Sequence, residues 1–150
     1  MHTEYFSIHR DNPDEEVMKR AAVLIRQGRL VAFPTETVYG LGANGLDGEA
    51  AGGIFRAKGR PSDNPLILHI SSEKELSQIA REIPANAKAL MKAFWPGPLT
   101  VVLKKTEAVP KVISGGLDTV AVRLPASVVA RRLIELAGVP IAAPSANTSG

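Results

Sequence analysis

The sequence predicts an α/β fold, a twisted open mixed sheet with flanking helices, and three observations carry that prediction. Short runs rich in Val, Ile, Leu and Ala, such as LVAF, LILHI, TVVLK, TVAVRL and PIAA, break off at Gly, Pro or polar residues as strands do. Longer stretches between them place apolar residues three and four apart, the spacing of a helix face. The two signals alternate along the chain without an internal repeat, linker or low-complexity tract, so a layered architecture with an at least partly parallel sheet follows.

Taken in order, Asn12 can cap a first helix, with Pro13 at its first position and Asp14, Glu15 and Glu16 in its first turn. Val17, Ala21, Leu24 and Ile25 share one face, and Gly28 stops it. Leu30 to Phe33 reads as a buried strand that delivers the chain into the turn-like PTETVYGLGANG. A second helix runs from Asp47 to about Lys58, weakened by Gly52 and Gly53 and anchored by Ile54 and Phe55. Leu66 to Ile70 is a strand, and Ser72 with Glu75 makes a capping box for a helix reaching about Glu82. Pro84 starts a helix expected to carry Ala87, Leu90, Met91 and Phe94 inward, and FWPGPLT turns it into a strand over Thr100 to Lys104. Val109 to Gly116 reads as a turn or short helix. Thr119 to Leu124 is a strand, Ser127 to Ala137 a helix ended by Gly138, and Pro140 to Ala143 a last strand running into PSANTSG.

Composition bounds the function. The 150 residues, 45% hydrophobic and 22% charged, suit one globular domain with a real core. No apolar run approaches the roughly 18 to 20 residues of a membrane span, and MHTEYFSIHRDN lacks the pattern of a secretory signal. The absence of cysteine excludes disulfides, thiolate catalysis and cysteine-ligated zinc, and a cytoplasmic protein is expected. A net charge of +3 permits an anionic ligand or nucleic acid without demanding either.

The stretch KGRPSDNPLILHI concentrates the chemistry. Lys58 is a point charge, Arg60 a planar fork, and two residues apart they suit phosphate or carboxylate. Gly59 permits close backbone approach, Pro61 and Pro65 stiffen the loop, and Asn64 both donates and accepts. In open α/β sheets ligands sit beyond the carboxyl ends of strands. If several strand ends share an edge, Thr35, Thr37, Lys58, Arg60, His69, Arg123, Ser145 and Asn147 converge, with Glu36 as the single acid. Such a set holds anions and works by positioning and electrostatics, since it lacks a carboxylate pair and a thiol. Each member also has a plainer reading. His69 fits a structural histidine, Ser145 and Asn147 an N-cap, Thr35 and Thr37 local turn caps, and Trp95 a packed corner. Arg123, inside an apolar strand, needs a partner or a ligand. Gly40, Gly42 and Gly45 spell GxGxxG, but PTETVY separates them from the preceding strand and no helix opens from them, so a dinucleotide fingerprint is not expected.

PTETVYGLG, KGRPSDNPLILHI, FWPGPLT, VAVRLP and PSAN, in this order over residues 34–147, resemble the YrdC-like family of threonylcarbamoyl-AMP synthases. The resemblance implies a nucleotidyltransferase that converts ATP, L-threonine and bicarbonate to L-threonylcarbamoyl-adenylate and pyrophosphate. Partner transferase proteins then carry the threonylcarbamoyl group to tRNA beside the anticodon. It also implies a concave, positively charged cavity, with the family's K-x-R and S-x-N signature at Lys58, Arg60, Ser145 and Asn147. By that resemblance Lys58 and Arg60 are catalytic. ATP is held by Lys58, Arg60, Asn64, Thr119, Ser145 and Asn147, and threonine by Thr35 or Thr37, His69, Arg123 and the backbone near Ala143. Magnesium is expected to travel with ATP, with no protein-built metal site. Family members continue past SANTSG, so the domain is expected to be truncated at its C-terminal end. The alternatives are a module that binds tRNA or double-stranded RNA without catalysis, and a carbamoyl-adenylate-forming module of a carbamoyltransferase.

Overall fold

The structure, a computed structural model, describes residues 2–148. The first helix, α1 (Glu15–Arg26), starts later than Asn12 and Pro13 suggest, because Asp14 is the cap: its carboxylate accepts from the backbone N–H groups of Glu16 and Val17. Strand β1 (Val31–Phe33) passes through residues 34–39 into β2 (Gly40–Asn44), a strand concealed in the sequence by its glycines. Helix α2 (Gly48–Lys58), capped by Asp47, ends on Gly59 in the left-handed region at φ 65°. Strand β3 (Ile67–His69) follows. The Ser72–Glu75 capping box forms as expected, but over a single tight turn, and the helix it opens, α3 (Leu76–Ile79), is short. The chain re-enters the sheet as β4 (Ala80–Arg81), where a helix to Glu82 was expected. Helix α4 (Ala85–Phe94), β5 (Thr100–Lys105), α5 (Lys111–Ser114), β6 (Thr119–Arg123), α6 (Val128–Ala137) and β7 (Ile141–Ala142) complete the order.

The strands form one seven-stranded sheet in the order β1-β2-β7-β3-β6-β5-β4. Only β3 and β6 are parallel neighbours, with Ile67 opposite Ala121 and His69 opposite Arg123; every other pairing is antiparallel. The mixed sheet is therefore as expected, but the shared edge is not. The carboxyl ends of β1, β5 and β7 point one way and those of β3 and β6 the other.

Side chains alternate across each strand. Leu68, Val101, Leu103, Val120, Val122 and Ala142 enter the larger core with α2, α4 and α5. The other face is covered over β1, β2 and β7 only: Phe33, Ile141 and Ala143 pack against α1 and α6 through Met18, Ile25, Val129 and Ile134. Over β3, β6 and β5 this face stays open. It carries Ile67, Thr119, Ala121, Arg123, Thr100, Lys104 and the 64% exposed Val102.

The inward face expected of α4 needs correction. Leu90 and Phe94 were expected inside but lie on the exposed side of α4, because Ala87, Met91 and Trp95 form the inward stripe and the two residues follow a neighbouring one. The GxGxxG run is packing, not phosphate chemistry. A Cβ on Gly42 would lie 2.7 Å from Ile141 Cγ2 and Phe33 Cε1, and one on Gly45 2.5 Å from Leu68 Cδ2 and 2.8 Å from the Pro140 carbonyl oxygen. Gly45→Ala is expected to cost about 1–3 kcal/mol through forced backbone movement, read as a lower urea midpoint at unchanged m. Wild-type stability in that variant would show that the β2–β7 contact yields.

Candidate active site

The predicted residues assemble as two groups. The first is built on Lys58, which the last turn of α2 presents beneath the segment after β7. Its Nζ donates to the carbonyls of Ser145 and Asn147, both at 2.6 Å, and the residue is only 6% exposed. The same segment is stitched to β2 from its other side: Leu41 N donates to Pro144 O at 3.0 Å and Ala146 N to Tyr39 O at 2.8 Å, with a bridge between Gly40 and Ser145. Lys58 thus joins two sequence motifs 87 to 89 residues apart.

Arg60 lies beside it, donating from Nη2 to Pro65 O at 2.8 Å, while its buried Nε has no partner among the described residues. Burial lowers the pKa of both cations, and for Lys58 the neighbouring Arg60 charge adds to the effect. Both are satisfied by neutral carbonyls where partners exist, so among the described residues no carboxylate bonded to either offsets their charge.

The second group stands on the open sheet face, at the ends of the parallel pair. His69 is buried, its Nδ1 3.1 Å from Ile67 O and its ring edge-on to Phe33. Loss of solvation, then the Arg123 charge, pushes its pKa down to about 4, so the imidazole is neutral at pH 7. Arg123 is held on three sides. Nε donates to Gly97 O at 3.3 Å, Nη2 to Glu36 at 2.6 Å, and Nη1 and Nη2 both reach Thr37 Oγ1 at 3.4 Å. Glu36 in turn accepts from Ala126 N at 2.8 Å. Thr35 is spent locally, its hydroxyl donating to Val38 O at 2.6 Å and accepting from Thr37 N.

The convergence expected at a strand edge is therefore achieved differently. Loop 34–39 leaves β1 at one end of the sheet and reaches across the open face to Arg123 at the other. Ala143 is buried, its N–H bonded to Ile67 O at 3.0 Å. Asn64 sits in a turn closed by its own N–H on Pro61 O, and Thr119 begins β6 on the open face; no side-chain hydrogen bond joins either to the two groups among the described residues. Trp95 is the packed corner expected of it, with Nε1 donating to Leu99 O at 2.8 Å. Sequence reasoning missed the Gly97 carbonyl as an Arg123 acceptor, because backbone acceptors leave no signal. It noticed Glu36 only as the single acid, with no role. Among the described residues no group of three or more His, Asp or Glu side chains is placed to hold a metal ion, and no helix is long and apolar enough to cross a membrane.

Comparisons with known proteins show what the chain is similar to. The sequence model of the Sua5/YciO/YrdC family, described as telomere recombination, matches residues 23–150. The chain is 63% identical over 141 residues to threonylcarbamoyl-AMP synthase of Pyrococcus abyssi, covering 94% of this chain and 42% of the relative. It is 53% identical over 132 residues to threonylcarbamoyl-AMP synthase of Bacillus subtilis, covering 87% of this chain and 38% of that protein. A solved structure of P. abyssi Sua5 complexed with L-threonine superposes with a TM-score of 0.92 at 63% identity, over 94% of this chain and 42% of its own. The chain thus spans about two fifths of the length of these curated relatives. With the family's sequence model covering residues 23–150 and the fold matching a solved member over 94% of the chain, the chain belongs to the Sua5/YciO/YrdC family.

Proposed function

We propose that this chain is the adenylate-forming domain of a threonylcarbamoyl-AMP synthase, taking ATP, L-threonine and bicarbonate to L-threonylcarbamoyl-adenylate and pyrophosphate. The observation that carries the reading is the sorting of the candidate residues. Four of the residues assigned to nucleotide, Lys58, Arg60, Ser145 and Asn147, group around a buried cation, while three of those assigned to threonine, Thr37, His69 and Arg123, group on the open sheet face, which also carries Thr119. Two ligands need two subsites, and this sorting supports such a division.

In this mechanism the threonine amine and bicarbonate yield a carbamate and water. A carbamate oxygen attacks the α-phosphorus of ATP, and the bond to the bridging oxygen breaks as pyrophosphate leaves. Lys58 and Arg60 offset charge developing on the phosphates, which is positioning and electrostatic catalysis. Asn64 and Thr119 extend the nucleotide contacts along the loop and β6. Thr37 is favoured over Thr35 for the amino acid, since its hydroxyl already faces Arg123. The Ala143 backbone lines the same side, and magnesium arrives with the triphosphate. The product serves tRNA modification in the cytoplasm through separate transferase proteins.

The test is pyrophosphate release with and without L-threonine and bicarbonate. It is run on this chain and on the chain extended past Gly150 with the corresponding segment of the P. abyssi relative. Release requiring both substrates is expected. No release from the extended form, with tight binding to RNA that collapses as salt rises, would replace the synthase with an RNA-binding module. In the same assay Arg123→Ala is expected to weaken threonine by about 1.5–3 kcal/mol, the worth of a charged hydrogen bond, while ATP affinity holds. An equal loss of both ligands would trace the defect to folding.

A further inference from the structure

The guanidinium of Arg123 has five N–H groups, and most are already committed inside the protein. Nε holds Gly97 O, Nη2 holds Glu36, and Thr37 Oγ1 is reached from both Nη1 and Nη2, leaving one N–H, on Nη1, without a partner among the described residues. A bidentate grip on a ligand carboxylate, the usual reason for an arginine in such a place, is closed off while Glu36 is in position. The Glu36 carboxylate does not float over the site. Its second oxygen accepts from Ala126 N at 2.8 Å, at the entry to α6, and the pair is shielded, with side-chain exposures of 11% for Arg123 and 24% for Glu36. The loop carrying Glu36 is closed on itself by Thr35 and followed by residues bonded to the 144–146 segment.

We infer that Glu36 is a positioning residue: it fixes the Arg123 guanidinium so that a single Nη1 N–H is offered to the carboxylate of the amino-acid substrate. The naming of that substrate as L-threonine rests on the synthase reading; the fixing of Arg123 does not. Glu36 therefore sets carboxylate recognition without touching the ligand. Loop 34–39, β6 and the start of α6 act as one frame.

Two measurements test this on the extended chain. The first needs no ligand: nitrogen-15 NMR of the Arg123 side chain. Wild type is expected to give separate, slowly averaging Nη signals, and Glu36→Ala to merge them; merged signals already in wild type would overturn the fixed guanidinium. The second is the threonine and ATP dependence of pyrophosphate release. Glu36→Ala is expected to raise the threonine KM about 10- to 100-fold, with ATP KM within about twofold. Glu36→Gln, which keeps one acceptor, should fall between the two. In an Arg123→Gln background, Glu36→Ala should add little further loss, because the two act as one unit. Tighter threonine binding in Glu36→Ala would make Glu36 a displaced placeholder, and additive losses would make the contact merely structural; either overturns the proposal. A wild type that shows no threonine dependence would defeat the synthase reading alone, and the NMR arm would still decide the role of Glu36.

Discussion

Lys58→Ala is expected to lower threonine-dependent pyrophosphate release by on the order of a hundredfold, about 3 kcal/mol, with little change in global stability. The two effects separate because of what Lys58 touches. Its partners are the Ser145 and Asn147 carbonyls of a segment at the surface, so deleting the ammonium lets water replace it there at small cost. That segment loses its fixed place relative to α2, however, and a site that works by positioning does not tolerate such slack. Two charge-assisted bonds at 2.6 Å define its place on one side, and the Ala146–Tyr39 bond on the other. Amide exchange should therefore quicken at Ala146 and Leu41 and stay slow in β3 and β6. Lys58→Arg should not rescue the activity. A rigid planar fork cannot replace a compact ammonium between two carbonyls on alternate residues. Wild-type turnover in Lys58→Ala, or a collapse of the midpoint of unfolding to match the activity, would remove Lys58 from the site.

Much of this arrangement was legible in the sequence for identifiable reasons. The helices α1, α2, α4 and α6 were set by apolar spacing and by caps, and Gly138 ends α6 in the left-handed conformation expected of it, at φ 71°. The strands β3, β5 and β6 were readable because β-branched runs stop sharply. Strand β2 was not, since Gly40, Gly42 and Gly45 imitate a turn. They are glycines because Phe33, Ile141 and Pro140 crowd the space a side chain would need, a reason that exists only after β2 has paired with β1 and β7. Strand direction was equally hidden. Several polar strand ends were free to share an edge; pairing puts those of β1, β5 and β7 at one edge and those of β3 and β6 at the other, and the second group stands on a face of the sheet. The residue types of the site were legible from charge and from Arg123 in an apolar strand. Their partners were not, because Glu36 and Gly97 meet Arg123 only through loop 34–39 and the FWPGPLT corner, contacts of long sequence separation.

His69 gives the second large effect, on stability. Folding removes its imidazole from water and sets it beside Arg123, so its pKa falls from 6.5 to about 4, against a smaller opposing influence from nearby carbonyls and Glu36. A depressed histidine pKa means that between these two values the unfolded chain binds a proton that the native state refuses. Stability is then greatest above pH 6.5 and declines as pH falls through this window, levelling off below about 4, by about 3 kcal/mol in all. The carboxylates also titrate in acid, so the measurement is a comparison. Urea unfolding of wild type and His69→Gln at pH 7.5 and 4.5 should show wild type losing roughly 2–3 kcal/mol more than the variant over that interval. The same neutrality matters for recognition. A protonated His69 would place a second cation directly beside Arg123 and force charge repulsion through the β3–β6 pair, whereas a neutral ring leaves Arg123 as the cation at that end of the pair. Parallel losses in the two proteins would mean that His69 takes up its proton without disturbing the sheet, and Arg123 would then no longer be the single cation at that end of the site.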